Sequence, residues 1–411
     1  MKKDNFFMMS RLLFWLLMLL PVALVINKYF GKGYVYTLFL AGGVLAIYWN
    51  FKNILYRDDV ETFIKLSVLV FLVALTGFFQ QDPQLTRFPR VIADYANALL
   101  PIAIFAILHA YGKLKFKHII NTLALASVIA GLIAFYDFYT GVNRYYRVHG
   151  SPIIYGDLSM LFGLLTIVLS FYYNRSKKMI FYVLAGGLGI WASFFSGSRG
   201  GWIALIGLTL LMLVVLPSRC KFKVISGILV FLILLGFVTW FFDGVVKQRV
   251  VSAYDEFGLL FSQENYTGGS LGSRVEFWRI SLLAFLSSPI WGIGVGEFFA
   301  FKAHLIEMGE VPKHLMSFKH AHNEYFSILS GMGIVGVLVY LVLFIWVWRL
   351  FKQAYQSSIQ DHRFIGLAGM ATIICYVDFS LTESFLSSPL GGAAFFFLMS
   401  IFIYFLNQRI D

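Results

Sequence analysis

Long apolar runs separated by short polar stretches dominate the chain. Runs of spanning length fall at about 12–27, 34–50, 64–80, 91–111, 118–139, 155–173, 179–195, 201–216, 222–242, 322–348, 364–382 and 388–407. Each is near the roughly 20 residues a helix needs to cross the hydrocarbon of a bilayer. The pattern therefore predicts an all-α polytopic membrane protein of about 12 transmembrane helices. One polar stretch breaks the rhythm and divides the chain. Residues 1–242 carry helices one to nine, 243–321 form a long loop containing short helices, and 322–411 carry the last three helices. Inside the loop, Val275 to Leu286 is amphipathic, and Ser273 and Glu276 have capping-box spacing. A helix is expected to start at Arg274 and to lie on the outer leaflet with Phe277, Trp278 and Phe285 dipping in.

Composition agrees with the pattern. With 59% hydrophobic and 13% charged residues, a soluble domain of 411 residues could not bury its apolar surface. The net charge of +12 signals membrane topology and anion binding, and no folded basic domain for nucleic acid is visible. Cys220 and Cys375 are too few and too distant for a disulfide framework or a metal site. Lys2, Lys3 and Arg11 precede an apolar run without a small-x-small cleavage site, which predicts an uncleaved first helix.

Charge sets the expected orientation. Lys2, Lys3 and Arg11, the clusters near residues 52–65, 113–117, 175–178, 219–223 and 349–363, and Arg409 hold 19 of the 33 lysines and arginines on one set of helix ends. That side is expected to be cytoplasmic, with both termini, which places the long loop outside. The outer short loops carry Lys28, Lys32 and then only arginines: Arg87, Arg90, Arg144, Arg147 and Arg199. A guanidinium fork matches phosphate oxygens two at a time, although any one of them could simply snorkel to lipid headgroups. Asp94, Asp137, Asp157, Asp378 and Glu383 also fall near outer helix ends, with no carboxylate at mid-depth. A transporter places polar groups near the midplane; a site in the outer leaflet places them as found here.

Three motifs carry candidate chemistry. His320-Ala321-His322-Asn323-Glu324-Tyr325 closes the long loop where a bilayer disfavours such side chains. A histidine titrates near neutrality and serves as a general base with little tuning. A metal pair is disfavoured, because an i,i+2 spacing points two side chains apart on a strand or a helix. Ser196-Gly197-Ser198-Arg199-Gly200-Gly201 occupies a tight turn where backbone N–H groups can approach a ligand; a plain helix–helix turn accounts for its glycines equally well. Gly268-Gly269-Ser270-Leu271-Gly272-Ser273-Arg274 opens the amphipathic helix, whose N-terminus beside Arg274 suits an anion, with Arg279 one turn further on.

Together with Ser288-Pro289-Ile290-Trp291-Gly292-Ile293-Gly294-Val295-Gly296 and Gly331-Met332-Gly333-Ile334-Val335-Gly336, these residues resemble the O-antigen ligase and polymerase superfamily of bacterial inner-membrane glycosyltransferases. The resemblance runs from about Arg147 to Pro389. It implies a GT-C-like, inverting transferase without cofactor or metal, acting at the periplasmic face of the inner membrane. The donor it implies is a glycan on undecaprenyl diphosphate; the acceptor is lipid A–core, among membrane lipids. By the same resemblance Arg199 and Arg274 bind the donor diphosphate and His322, followed by Asn323, is the catalytic base. Asp378 matches an acidic residue of the penultimate helix. His320 and Arg147, with Arg279 and Asn323, take supporting roles. The alternatives are an O-antigen polymerase joining lipid-linked repeat units and, more distantly, a lipid-linked saccharide flippase. A non-catalytic scaffold gives no reason for the His322, Arg199 and Arg274 set.

Overall fold

The structure is a computed structural model that describes residues 3–48, 57–80, 85–112, 114–141, 151–174, 176–198, 200–215 and 269–408, with 251–252, 254–255 and 258–259. The described residues are helical and contain no strand. The first part comprises α1 (Lys3–Met18), α2 (Leu20–Ile26), α3 (Lys28–Tyr48), α4 (Asp58–Leu75), α5 (Phe88–Tyr95), α6 (Leu100–Tyr111) and α7 (Phe116–Tyr139). There follow α8 (Pro152–Ser170), α9 (Lys177–Phe195) and α10 (Gly200–Val215). The loop contributes α11 (Gly269–Ser287) and α12 (Phe298–Glu307), and the chain closes with α13 (Glu324–Tyr355), α14 (Gln360–Ser380) and α15 (Pro389–Asn407).

Nine of the described helical spans are long and apolar enough to cross a membrane, ten if the bent pair α1–α2 counts as one, and α10 is a shorter apolar helix. The expected run at 222–242 lies outside the described residues. The sequence reading thus finds the apolar helices but places several ends late. The run expected from residue 34 begins at Lys28, where the Asn27 side chain accepts from the Tyr29 N–H at 2.8 Å.

The helices divide by what they face. α8 and α15 are enclosed on nearly every side, whereas α3 turns Leu40, Val44 and Ile47 outward and α13 turns out Leu338, Leu341, Val342 and Ile345. A helix apolar all round belongs inside the bundle, and an outward apolar face belongs against lipid. α8 and α9 cross where both offer glycine: a Cβ on Gly163 would come within 2.6 Å of the Gly186 carbonyl. Small residues permit such close backbone approach in membrane bundles.

α13 is 32 residues long and is broken at Gly333 (φ 61°, ψ −157°). The segment at Pro289–Gly294 fills the break. The Ile293 and Gly294 N–H groups donate to the Ser330 and Gly331 carbonyls at 2.8 and 3.1 Å, and the Ile334 and Val335 N–H groups donate to Pro289 and Ile290 at 2.9 and 3.2 Å. The two glycine motifs are therefore halves of one interlock. Gly292 and Gly333 both need positive φ and both stand against partner backbone, so a side chain at either meets it directly. The stretch of α13 beyond Gly333 is long enough to cross a bilayer by itself, and the first ten residues project the site onward.

The loop has its own small core. Phe277, Ile280, Leu305, Val311, Leu315 and Ala321 bury together, and Trp278 stacks on Phe326 of α13 at 5.5 Å. This corrects the expected interfacial helix: Phe277 and Trp278 pack on protein, not lipid, because α12 and α13 supply the apolar surface. The capping box is also replaced. α11 already runs from Gly269, and the Ser273 hydroxyl donates to the Gly269 carbonyl at 2.7 Å. Arg274 therefore sits in the second turn rather than at an open helix end.

Candidate active site

The site is built where α13 begins. Asn323 adopts extended backbone and caps α13, its side chain accepting from Phe326 N–H at 3.2 Å. His322, just before it, holds a left-handed φ of 49°. For a residue with a Cβ this costs roughly 1–2 kcal/mol. It also folds the chain so that the rings of His320 and His322 lie 4.2 Å apart. The expectation that an i,i+2 pair points apart fails for this reason: it holds for regular strand or helix, and residue 322 is neither.

Both imidazoles meet Glu383, in the loop between α14 and α15. His322 Nδ1 lies 2.9 Å from Oε2, and His320 Nδ1 lies 3.3 Å from Oε1. Burial acts to raise the Glu383 pKa, but the two imidazoles, the His322 hydrogen bond and the Ser384 N–H outweigh it and hold the carboxyl down at about 2. An ionised carboxylate only accepts, so His322 Nδ1 is the donor of that hydrogen bond. His322 is the more enclosed ring, 19% exposed against 44% for His320.

Residues 381–388 are stitched to the same helix start. Asn323 Nδ2 donates to the Leu381 carbonyl at 3.0 Å, the Ser327 and Ser384 hydroxyls meet at 2.7 Å, and Glu324 Oε2 accepts from Leu386 and Ser387 N–H at 2.9 and 3.1 Å. Asn323, given a supporting role by the resemblance, joins helix to loop, and Glu383 holds the His322 ring. On the other flank the fully buried Lys302 donates to the Leu315 carbonyl at 2.8 Å and to the Phe318 carbonyl, fixing the approach to His320. Burial first, and then the charge of Arg87, push its amine down to about 8.

His320, His322 and Glu383 border a cavity of ≈ 350 Å³. Lys28, Lys32, Arg87, Arg90 and Lys319 also line it, with Asp94. The histidines and the outer-loop cations were legible separately; their meeting was not. Lys28 and His322 are far apart in sequence, and no periodicity links them. Glu383 was visible only as one of several carboxylates at helix ends.

The remaining expected residues are placed as follows. Arg274 is half-buried and within electrostatic reach of Asp157, which also feels Glu383. It does not line the cavity. Arg199 and Arg147 lie outside the described residues. Gly200, next to Arg199 in the sequence, packs on Thr382, the neighbour of Glu383, and Gly201 packs on buried Asp157. Arg279 pairs with Glu276 at 2.6 Å and donates to the Glu310 carbonyl at 3.1 Å, which ties α11 to the loop. Asp378 sits on α14 against Gly207 of α10, away from the cavity wall.

The donor atoms of His320, His322 and Glu383 lie within 4.8 Å of one another, a set that could hold a divalent cation. The five cations on the same cavity would oppose one, and both imidazoles already face the carboxylate. The arrangement is chemically suited to taking a proton from a hydroxyl beside an anion.

Comparison with known proteins bears on the family. Residues 184–341 match a family model described as O-antigen ligase. An uncharacterized protein of Haemophilus influenzae (strain ATCC 51907 / DSM 11121 / KW20 / Rd) is 22% identical over 381 residues, covering 90% of this chain and 93% of that protein. The matched family is one of ligase- or polymerase-like glycosyltransferases, and the apolar helices of this chain are those of a multi-pass membrane protein. The resemblance read from the motifs is therefore met by the family model.

Proposed function

We propose that this chain, whose central segment is of O-antigen ligase type, transfers O-antigen glycan from undecaprenyl diphosphate to a sugar of lipid A–core. The reaction takes place at the periplasmic face of the inner membrane. The observation that carries the reading is the Glu383–His322 pair at the cavity wall. Glu383 fixes the Nδ1–H tautomer, so Nε2 accepts the proton of the acceptor hydroxyl. The oxygen attacks the anomeric carbon opposite the diphosphate, inverting it as the glycosyl–phosphate bond breaks. Arg199 and Arg274 hold the departing diphosphate, whose charge grows in the transition state.

The reading is supported by the convergence of the predicted outer ends of α3, α5, α8, α13 and α15 on one cavity. This arrangement opens the His322 side of the cavity toward the predicted outer face, where a glycolipid acceptor would approach. The test is transfer by purified protein between lipid-linked glycan and lipid A–core. Arg274→Ala should nearly abolish it, and Arg274→Lys should restore part, since a point charge replaces a fork. Activity that vanishes in EDTA and returns with zinc would instead assign the three-residue cluster to a metal. The polymerase alternative is separated by the lipopolysaccharide of a deletion strain. Loss of every capped form, with lipid-linked polymer accumulating, means ligase; single-repeat caps mean polymerase.

A further inference from the structure

The proposed mechanism places the departing diphosphate on Arg199 and Arg274; Arg274 does not line the cavity, whose charge among the described residues comes from other side chains. Lys28, Lys32, Arg87, Arg90 and Lys319 face it, against Asp94 and Glu383. Both carboxylates are engaged, Asp94 by Lys32 at 3.1 Å and Glu383 by the histidines. Arg87 lies over the Phe299 ring at 3.9 Å. Among the described residues Lys28, Arg90 and Lys319 have no ion-pair partner.

Backbone adds to the same field. Lys28 is the first residue of α3, and Arg87, Ser151 and Ser388 are the N-caps of α5, α8 and α15. All four line the cavity, so four helix N-termini point their positive ends at it. Cations without an ion-pair partner and helix N-termini gathered around one open-sided cavity make an anion site.

The group that must touch His322 is the acceptor hydroxyl, so the acceptor occupies the cavity. We propose that the cavity recognises a phosphate carried by the acceptor glycolipid, with Lys28, Arg90 and Lys319 as its specificity residues. This rests on the transferase reading above. A phosphate monoester supplies three oxygens and up to two charges, which matches three unpaired cations better than a single carboxylate does. The phosphate anchors the acceptor, and the hydroxyl to be glycosylated then lies within reach of Nε2.

The experiment uses full-length protein, lipid-linked glycan donor, and the acceptor glycolipid either phosphorylated or treated with phosphatase. Removing the phosphate should raise the wild-type acceptor KM at least tenfold. The Lys28→Gln, Arg90→Gln double variant should show that raised KM with the phosphorylated acceptor, lose nothing more with the treated one, and keep the donor KM within twofold. Arg90→Lys should recover part of the affinity. A raised donor KM would overturn the proposal and move the donor diphosphate into the cavity. Equal losses with both acceptor forms would also overturn it. A second arm is independent of turnover. The soluble phosphorylated oligosaccharide released from the acceptor is titrated calorimetrically into His322→Ala protein, beside its dephosphorylated form. A preference of at least tenfold that disappears in the double variant supports the site even if transfer itself fails; no preference rejects it.

Discussion

The cavity has two unlike walls. The wall made by α13 and residues 381–388 is pinned: the imidazoles, Asn323, Glu324 and Ser327 each have a named partner. The part of the lining from α3 and α5 presents Lys28 and Arg90 with no ion-pair partner among the described residues, beside the Lys32–Asp94 pair. A general base must be held in one tautomer and one direction before the substrate arrives. Cations that meet a lipid-borne anion gain by staying unpaired until it comes, because a pre-formed ion pair would have to be broken. On the proposed reading, the difference separates the half that would take the proton from the half that would select the acceptor.

The largest way to break the pinned wall is at its support. Gly333→Val forces a β-branched residue to positive φ against the Ile290 carbonyl and should abolish transfer and leave little monodisperse protein in detergent. Gly331→Ala, whose Cβ would meet its nearest neighbour at an ordinary 3.6 Å, should keep both. Equal behaviour of the two would remove the interlock from the argument.

Next comes the base. His322→Ala should cost the roughly 10²–10⁴-fold that a positioned base contributes, read as kcat with donor KM unchanged. Glu383→Gln keeps the size but not the charge, and should lose part of the same factor in kcat. Wild-type kcat in Glu383→Gln would mean the pair is packing rather than chemistry.

A smaller effect sharpens the comparison through Lys302. Its folded-state value of about 8 lies below the ordinary 10.5, so the folded loop binds fewer protons than the unfolded one between those values. Stability of the loop should therefore rise with pH across that window and be lowest below it. Lys302→Met should flatten the slope, measured as hydrogen exchange of residues 298–323 at several pH values. A slope that persists in the variant would assign it to another group.

The smallest effect is expected at Arg279. Its ion pair with Glu276 is exposed, and such pairs contribute about 0–1 kcal/mol. Arg279→Gln should leave transfer within about twofold. A large loss would give this residue the supporting role first expected of it.

What was legible in the sequence follows from range. Apolar runs are local, so the helices could be found from them, and His322 stood out because imidazole is costly at a membrane boundary. Capping spacing is local too, yet it misplaced the start of α11, since Ser273 bonds back to Gly269 once the helix continues upstream. Glu383 could not be paired with His322 from 61 residues away. The glycine motifs at 292–296 and 331–336 were each visible, but their interlock is a tertiary contact. The reach of His320 depended on one dihedral, the positive φ of His322, which no spacing rule anticipates.

The break in α13 also has a consequence for how the molecule is assembled. Residues 289–294 leave the ribosome about 40 residues before the helix they complete, which at roughly 5–20 residues per second is a wait of a few seconds. During that wait the loop has nothing to dock on. When α13 emerges, it breaks at Gly333 only once it meets the waiting loop, whose carbonyls accept from Ile334 and Val335 N–H. Glu383 follows later still. A nascent chain therefore carries lipid-facing helices and a cationic pocket wall long before it carries a working base. On the proposed mechanism, catalytic competence is the last thing synthesis delivers.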